Sequence, residues 1–342
     1  MEDAYERYSR QILFPEIGLD GQKRLAASRV LLIGCGALGS SHAEMLARAG
    51  IGKLRIVDRD FVEYTNLQRQ TLFSEEDAEH RTPKAVAAQN RIAAINSGVE
   101  VEPIVADINN SNIESFIDGC DLVLDGSDNF QVRYLVNDAC VKLGKTWIYG
   151  AAVSGYGTTM TVMPGATPCL RCIFDEMPDA GSTPTCDTAG VIMPIIVSIS
   201  AVQVAEAVKL IVGDTAAVHG SLMQIDIWQN DWRKIKLSAP NPECICCGRH
   251  KYEFLDADAK EFSAVLCGRD AVQIAPPKPV TLDLDAFADR IKFHTAVNQN
   301  EYLVRFTIDG REITVFRDAR AIIKGTDDVT LARALYAKYI GT

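Results

Sequence analysis

The segment Arg29-Val-Leu-Leu-Ile-Gly-Cys-Gly-Ala-Leu-Gly39 decides the fold of this chain, together with Lys53-Leu-Arg-Ile-Val-Asp58. The first segment opens with a short, fully apolar run of strand length, which ends at a cluster of glycines. Residues 37–49 follow with the apolar spacing of a helix, and the second segment has the length and composition of another strand. The sequence therefore predicts a strand, a glycine turn, a helix and a second strand in succession.

Each glycine of the turn has its own expected role. Gly34 permits the tight turn, Gly36 lets a phosphate approach the backbone, and Gly39 allows the helix to pack closely. A phosphate can then bind the free N–H groups at the N-terminus of the helix. Asp58 ends the second strand, where a carboxylate can accept hydrogen bonds from a ribose. The alternative is a glycine turn that binds nothing, but the strand, helix and acidic residue together favour nucleotide binding.

Composition limits the class of protein. The chain has 342 residues, of which 47% are hydrophobic and 23% charged, and this suits a soluble protein with one large domain and a small second one. The net charge of -10 argues against a nucleic-acid-binding protein. The N-terminus lacks the pattern of a signal peptide, and polar residues interrupt the longest apolar stretch, residues 191–212. We therefore expect a cytoplasmic protein without a membrane segment.

Strand-like and helix-like segments alternate up to a helix that begins near Phe130, and β structure is predicted at residues 150–163 and in a hairpin at 222–237. Alternation predicts a parallel sheet with helices on both faces and a ligand crevice at the carboxyl ends of its strands. The expected fold class is α/β, with a Rossmann-like, doubly wound, mainly parallel sheet extended by antiparallel strands. The expected domains are residues 1–248, a linker at 249–280 and a small α+β domain at 281–342.

Two cysteine pairs indicate a metal site. Cys169 and Cys172, and likewise Cys244 and Cys247, are separated by two residues, so each pair can place two thiolates on one turn. Four such sulfurs form a closed tetrahedral zinc site of the structural kind. The second pair is ambiguous because Cys246 adjoins Cys247, and the long segment between the pairs weakens the pattern. Free core cysteines are the alternative.

A second set of polar residues is not required by a redox Rossmann domain. Arg10, Arg69, Lys84 and the pair Asp128-Asn129 can converge on one crevice. Cations neutralise charge that develops on phosphoryl oxygens, and a carboxylate can hold Mg²⁺ that bridges phosphates, so the set suits triphosphate chemistry. Individually, each cation is more often a solvated surface residue, and Asp128 could simply cap the helix that follows it.

An ordered series of motifs makes residues 5–248 resemble the ubiquitin-activating-like adenylyltransferases that serve sulfur-carrier proteins, in the thiamine and molybdopterin branches. The motifs are Tyr8-Ser-Arg-Gln11, Gly34-Cys-Gly-Ala-Leu-Gly39, Asp58-Arg-Asp60, Thr65-Asn-Leu-Gln-Arg-Gln70, Pro83-Lys-Ala85, Ser127-Asp-Asn129, Cys169-Leu-Arg-Cys172, Cys186-Asp-Thr-Ala-Gly-Val191 and Cys244-Ile-Cys-Cys-Gly248. The resemblance implies ATP- and Mg²⁺-dependent adenylation of the C-terminal glycine of a small β-grasp carrier ending in Gly-Gly, with release of pyrophosphate. It also implies a homodimer, a structural Zn²⁺ and a sulfur donor such as a cysteine desulfurase.

The resemblance also implies roles for individual residues. Asp58 holds the ribose, Arg69 and Lys84 the phosphates, and Asp128 the metal, while Arg10 reaches across the dimer into the partner's site. The implied ATP-binding set is Gly34, Gly36, Gly39, Asp58, Asp60, Thr65, Asn66, Leu67, Gln68, Arg69, Lys84, Asp128 and Asn129. Two departures are visible: Ala37 replaces a frequent glycine, and the usual glycine before Pro83 is absent.

Cys186 is the remaining candidate catalytic residue. It lies in a polar, turn-rich segment with no cysteine at metal spacing, where a core cysteine is unexpected. A long helix predicted from about Val191 begins just beyond it, and a helix N-terminus favours a thiolate. Cys186 is therefore predicted to accept sulfur or an acyl group, as the resemblance also implies. The alternative is a loop cysteine with no catalytic role.

Two other classes of function stay open at this point. An NAD-dependent oxidoreductase explains the glycine turn and Asp58 but leaves Arg69, Lys84 and the cysteine pairs without a role. A non-catalytic scaffold that binds a ubiquitin-like partner would keep the fold and the zinc but would not turn over ATP. Neither the identity of the carrier nor its pathway follows from the sequence.

Overall fold

A computed structural model describes residues 3–178, 185–256, 263–266, 270–276 and 280–341. The chain divides into two compact units, Met1–Ala257 and Asp258–Thr342. Each unit has its own sheet and its own hydrophobic core. The two units are therefore described separately.

The first unit is built on an eight-stranded sheet with the order β3-β2-β1-β4-β5-β6-β7-β8. Neighbouring strands are parallel from β3 to β5 and antiparallel from β5 to β8. The strands are β1 (Arg29–Ile33), β2 (Lys53–Asp58), β3 (Glu100–Val105), β4 (Leu122–Asp125), β5 (Trp147–Val153), β6 (Tyr156–Val162), β7 (Ser221–Asp226) and β8 (Asp231–Lys236). The predicted fold class, a mainly parallel sheet extended by antiparallel strands, is confirmed.

Helices cover both faces of this sheet. They are α1 (Ser9–Ile12), α2 (Gly18–Ala27), α3 (Ala37–Ala49), α4 (Glu75–Glu79), α5 (Lys84–Ile95), α6 (Ile113–Ile117), α7 (Phe130–Lys142), α8 (Leu170–Ile173), α9 (Cys186–Ala189) and α10 (Met193–Val212). Successive side chains of a strand point to opposite faces. Accordingly, Leu32 of β1 packs in the core cluster of α3 and α5, whereas Leu31 packs in the cluster of α7.

Helix α10 has the length and apolarity of a membrane span. Half of its most apolar window is buried inside the protein, however, and the helix packs against α2, α3, β5 and β6. It is therefore a core helix of the first unit.

The second unit has a six-stranded antiparallel sheet with the order β11-β12-β13-β14-β10-β9. Its strands are β9 (Ser263–Leu266), β10 (Ala271–Ile274), β11 (Val297–Gln299), β12 (Leu303–Ile308), β13 (Arg311–Phe316) and β14 (Ala321–Lys324), and its helices are α11 (Leu284–Lys292) and α12 (Val329–Tyr339). Asp309 and Gly310 form the turn between β12 and β13, both with positive φ. This is the expected small α+β architecture.

The segment expected to be a linker, residues 249–280, has more structure than a linker. Its first residues pack in the core of the first unit through Tyr252, Phe254 and Leu255. Strands β9 and β10 belong to the sheet of the second unit, where β10 pairs with β14. Short apolar runs of four residues carry little strand signal on their own, since partners distant in sequence decide whether they pair. Residues 277–279 of the expected Pro-rich boundary lie outside the described residues.

Candidate functional site

The glycine turn connects β1 to α3 at the carboxyl edge of the sheet. Gly34 has φ +83°, so the turn requires a left-handed residue there. A Cβ on Gly39 would lie 2.0 Å from the Gly34 carbonyl oxygen, which shows the close helix packing expected of it. A Cβ on Gly36 would meet only the Gln70 amide nitrogen, at 3.9 Å. No side chain caps the N-terminus of α3, so its first N–H groups can bind an anion.

Asp58 is joined to this turn by its carboxylate. It is 8% exposed, and its two oxygens accept hydrogen bonds from the backbone N–H of Cys35 at 2.6 Å and of Asp60 at 2.7 Å. Burial raises the pKa of Asp58, while the Lys84 ammonium acts in the opposite direction. Each carboxylate oxygen can accept a second hydrogen bond. Asp58 therefore orients the turn and keeps acceptor capacity for a ribose.

Lys84 and Asp60 form a half-buried ion pair beside Asp58. The Lys84 ammonium lies 3.3 Å from a carboxylate oxygen of Asp60, and its side chain is 6% exposed. Arg59 extends the network, since its guanidinium lies 3.1 Å from Asp107 and 3.8 Å from Asp60. Cations and carboxylates thus alternate at the carboxyl ends of β2 and β3.

Some residues of the loop after β2 are buried against the protein, and others are exposed to solvent. Asn66 is buried, and its side chain accepts from the Glu63 N–H, so this residue caps a helical turn. Leu67 packs against the core. Thr65 and Gln68 are exposed, and the Arg69 guanidinium donates to the Thr65 carbonyl at 2.8 Å. Of the five loop residues predicted to bind nucleotide, Asn66 and Leu67 thus have structural contacts that hold the loop in place.

Asp128 lies on the turn that joins β4 to α7, and it is exposed. Asn129, rather than Asp128, caps α7: its side-chain oxygen accepts from the N–H groups of Gln131 at 2.8 Å and Val132 at 3.4 Å. The alternative that Asp128 is only a helix cap is therefore wrong. The negative charge of Asp128 raises the pKa of the nearby guanidinium of Arg59, although other carboxylates contribute more.

Arg10 is not brought to this crevice within one chain. It is exposed on α1, where the neighbouring Gln11 donates to the carbonyl of Ala49, the last residue of α3. The glycine turn is at the other end of this 13-residue helix, about 20 Å away at 1.5 Å per residue. Within one chain, Arg10 therefore lies away from the glycine turn.

The four predicted zinc ligands come together although the two pairs are far apart in sequence. The sulfur atoms of Cys169, Cys172, Cys244 and Cys247 all lie within 4.8 Å of one another. Three sulfur pairs are 3.9, 3.6 and 3.3 Å apart, against about 3.8 Å for a tetrahedron with Zn–S bonds of about 2.3 Å. The donor set therefore fits a closed structural zinc site.

Cys246 lies outside the group of four sulfurs that are within 4.8 Å of one another. It is fully buried and its sulfur accepts a hydrogen bond from the Asn137 side chain at 3.3 Å. In the absence of metal, hydrogen bonding with Cys169 and burial raise the pKa of Cys172 to about 12. Packing four thiols together is therefore costly for thiolates unless a cation compensates their charge.

Cys186 begins the four-residue helix α9, whereas the long helix α10 begins only at Met193. The long helix thus begins close to the expected Val191, and the effect of its N-terminus on this thiol stays a prediction. Thr185 caps α9, and the half-buried Cys186 sulfur donates to the Ala152 carbonyl at 3.4 Å. Backbone bonds join Ser154 to Gly190 and Ile192, which holds the segment against the end of β5. Residues 179–184, which precede it, lie outside the described residues.

Two buried residues near the crevice were not predicted. Gln70 is 4% exposed beside Gly36, and its buried side-chain oxygen has no hydrogen-bond partner within the described part of the chain. Arg133, on α7, pairs with the fully buried Asp125 at 3.1 Å. In the sequence, Gln70 was visible only as the end of a motif, and Arg133 only as one more basic residue on a helix.

Comparison with known proteins places this chain in a family. A model of the ThiF family matches residues 8–246. The chain is 43% identical to the sulfur carrier protein ThiS adenylyltransferase of Bacillus subtilis, over 98% of this chain and 99% of that protein. It is 38% identical to the SAMP-activating enzyme E1 of Haloferax volcanii, over 76% of this chain and 95% of that protein.

Among solved structures, the fold is similar to that of E. coli MccB with ATP. The TM-score is 0.63 at 24% identity, over 71% of this chain and 75% of that one. This likeness concerns the fold alone, and it agrees with the eight-stranded sheet described above. The matched family model spans that sheet from α1 to the second cysteine pair. This chain belongs to the ThiF family.

Proposed function

We propose that this chain adenylates the C-terminal glycine of a small β-grasp sulfur-carrier protein that ends in Gly-Gly. The observation that supports the proposal most is the buried Lys84 ammonium beside Asp60 and Asp58, next to the glycine turn, in a chain that aligns over 98% of its length with a sulfur carrier protein ThiS adenylyltransferase. A redox Rossmann domain has no need of that charged group. The product would enter thiamine or molybdenum-cofactor synthesis as a thiocarboxylate precursor.

The reaction follows from the weakness of a carboxylate as an electrophile. The carrier carboxylate attacks the α-phosphorus of ATP, the bond to the β-phosphate breaks, and pyrophosphate leaves with that electron pair. The resulting acyl-adenylate can be displaced by a sulfur nucleophile. No covalent enzyme group is needed for the first step, so positioning and charge neutralisation must supply the rate enhancement.

Each residue of the crevice has a part in this step. Gly36 and the N-terminus of α3 receive the phosphates, and Asp58 accepts from the ribose. Lys84 and Arg69 neutralise charge on the phosphoryl oxygens. Asp128 is the residue that would hold Mg²⁺. When bound, Mg²⁺ would bridge and neutralise phosphate oxygens.

We further propose that the active form is a homodimer in which Arg10 serves the partner's site. Within one chain, α1 is anchored at the end of α3 remote from the glycine turn. Leu13 and Phe14, which follow α1, are 70% and 55% exposed. The placement of this exposed arm supports a role of Arg10 in the site of another molecule.

The four-cysteine site is proposed to hold a structural Zn²⁺ through Cys169, Cys172, Cys244 and Cys247. A closed site has no open position for substrate, so its contribution is to stability. It connects the loop after β6 to the end of the first unit.

Cys186 is proposed to accept sulfur or the acyl group after adenylation, with a cysteine desulfurase as the class of sulfur donor. Its thiol is half-buried at the end of β5. We also propose a cytoplasmic location, because Cys35, Cys120 and Cys140 are buried free thiols, as in proteins of a reducing compartment.

The test of this function is pyrophosphate exchange into ATP. We expect exchange only with a carrier that ends in Gly-Gly, and not with the same carrier lacking its last glycine. Arg69→Ala, Lys84→Ala and Asp128→Ala should each reduce exchange about a hundredfold or more. Arg48→Ala, which removes an exposed ion pair of α3, is the matched control and should retain exchange. Binding of NAD in preference to ATP, or no exchange with any such carrier, would reject the proposal.

A further inference from the structure

The turn that carries Asp128 is held on both sides. On the C-terminal side, the Asn129 side chain caps α7. On the N-terminal side, one carboxylate oxygen of Asp125 accepts from both the N–H of Ser127, at 2.9 Å, and its hydroxyl, at 2.6 Å. Ser127 is thus held by a side chain of β4, and the Asn129 side chain is bonded to backbone N–H groups of α7, so both neighbours of Asp128 are attached to the elements that the turn connects.

Arg133 completes the attachment of Ser127. Its Nε donates to the second carboxylate oxygen of Asp125 at 3.1 Å, and its Nη2 donates to the Ser127 carbonyl at 2.6 Å. The N–H, hydroxyl and carbonyl of Ser127 are therefore all bound by the Asp125–Arg133 pair. The planar guanidinium can make both bonds at once, whereas an ammonium group cannot reproduce this geometry.

The surroundings of Arg133 keep its guanidinium in place. It is 5% exposed, and it lies over the rings of Phe130, at 5.4 Å, and Tyr149, at 5.5 Å. Asp125 is fully buried; burial raises its pKa, and the Arg133 charge opposes that effect. A buried ion pair adds little stability relative to well-packed apolar residues of the same volume. Its geometric effect on the turn is a better explanation for its presence.

We propose that Arg133 is a positioning residue that, with Asp125, fixes the β4–α7 turn so that the exposed Asp128 carboxylate is presented to a divalent cation in a fixed orientation. The inference rests on the proposed function for the metal role of Asp128, but not for the attachment of the turn. Residues that orient a metal ligand typically affect metal affinity by about 10- to 100-fold when replaced.

The first test needs no ligand. In Arg133→Lys, the charge next to Asp125 is kept while the bond to the Ser127 carbonyl and the ring stacking are lost. We expect hydrogen–deuterium exchange of the peptide containing Ser127 to quicken at least tenfold. The matched control is Arg55→Lys, because Arg55 also binds one carboxylate, of Glu102, and two carbonyls, of Phe116 and Asp118, away from the crevice. It should leave that peptide unchanged.

The second test measures the Mg²⁺ concentration that half-saturates ATP binding, by calorimetry. For Arg133→Lys this half-saturating Mg²⁺ concentration should rise about tenfold, and excess Mg²⁺ should restore ATP binding. For Asp128→Asn, ATP binding should no longer depend on Mg²⁺ over the concentrations that saturate the wild-type protein. Ser127→Ala, which removes only the hydroxyl bond, should show a smaller shift in both tests and serves if the Arg133 variant does not fold.

The outcomes separate the two hypotheses. Unchanged exchange at Ser127 in folded Arg133→Lys overturns the positioning role. Faster exchange with an unchanged Mg²⁺ requirement overturns the connection to the metal. An unchanged Mg²⁺ requirement in Asp128→Asn overturns the metal role of Asp128, which belongs to the proposed function, and leaves the attachment of the turn to be decided by exchange alone.

Discussion

Replacing Gly36 by alanine separates the effect of a ligand from the effect of the fold. Gly36 has φ -76° and ψ -140°, and this ψ lies outside the regions that alanine favours, so the change carries a backbone cost. The added Cβ itself would meet only the Gln70 amide nitrogen, at 3.9 Å. The protein itself therefore has room for the methyl group. If a phosphate approaches the backbone at this point, as the glycine turn indicates, the methyl group occupies that space instead.

Gly39→Ala is the contrasting change. Its Cβ would lie 2.0 Å from the Gly34 carbonyl oxygen, where ordinary contacts begin at 3.4 Å, so the shortfall is 3.4 − 2.0 = 1.4 Å. Backbone must move to relieve it, and overpacking of this kind costs about 1 to 3 kcal/mol of unfolding free energy. Gly36→Ala carries no such overlap, and its cost is the backbone strain, on the order of 1 kcal/mol.

The assay pairs thermal unfolding with calorimetric ATP binding. Gly36→Ala should lower the unfolding temperature by about 2 to 4 °C and bind ATP at least about tenfold more weakly, which is a loss of about 1.4 kcal/mol in binding. Gly39→Ala should lower both. Wild-type ATP affinity in Gly36→Ala would refute the placement of the phosphates at this turn.

Four further predictions follow from single groups. Cys172→Ser should lose one zinc per chain and unfold at lower temperature, and metal analysis showing no zinc in the wild-type protein would reject the site. Cys186→Ser should keep carrier-dependent pyrophosphate exchange but lose any thiol-sensitive carrier adduct; a normal adduct and normal thiocarboxylate formation would remove Cys186 from the mechanism. Arg10→Ala should be inactive and should regain exchange when mixed with Asp128→Ala, whereas no recovery after verified subunit exchange would place Arg10 in its own chain's site. Burial lowers the pKa of His42 to about 4 from its ordinary 6.5. On acidification the unfolded chain therefore binds a proton at this residue before the folded chain does, and the free energy of unfolding should fall by about 3 kcal/mol between pH 6.5 and pH 4. Urea unfolding of His42→Leu should lack this part of the acid dependence, and an unchanged dependence would contradict the assignment.

Much of the first unit was predictable because its signals are local. The apolar run of β1, the glycines and the strand ending at Asp58 determine a β–α–β unit from adjacent residues. The spacing of Cys169 with Cys172, and of Cys244 with Cys247, similarly identifies pairs without knowledge of the fold. Each of these predictions uses only the sequence within a few residues of its motif.

Predictions that depend on distant contacts failed or were not made. Strands β9 and β10 are stabilised by pairing with each other and with β14, and their own four-residue patterns are too short to show this. The role of Arg133 appears only when α7 brings its side chain back to Asp125. The short helix α9, which begins at Cys186, was not predicted, because four residues carry too little helical periodicity of their own.

The most direct test of the central claim follows the label from ATP into the carrier. The protein, Mg²⁺ and a carrier ending in Gly-Gly are incubated with ATP labelled either in the α-phosphate or in the γ-phosphate, and the carrier is then isolated under acidic conditions. Adenylation predicts that α-label appears on the carrier and γ-label appears in pyrophosphate, with neither transfer for the carrier that lacks its last glycine. Label from the γ-phosphate on the carrier, or α-label that never leaves free nucleotide, would contradict the account.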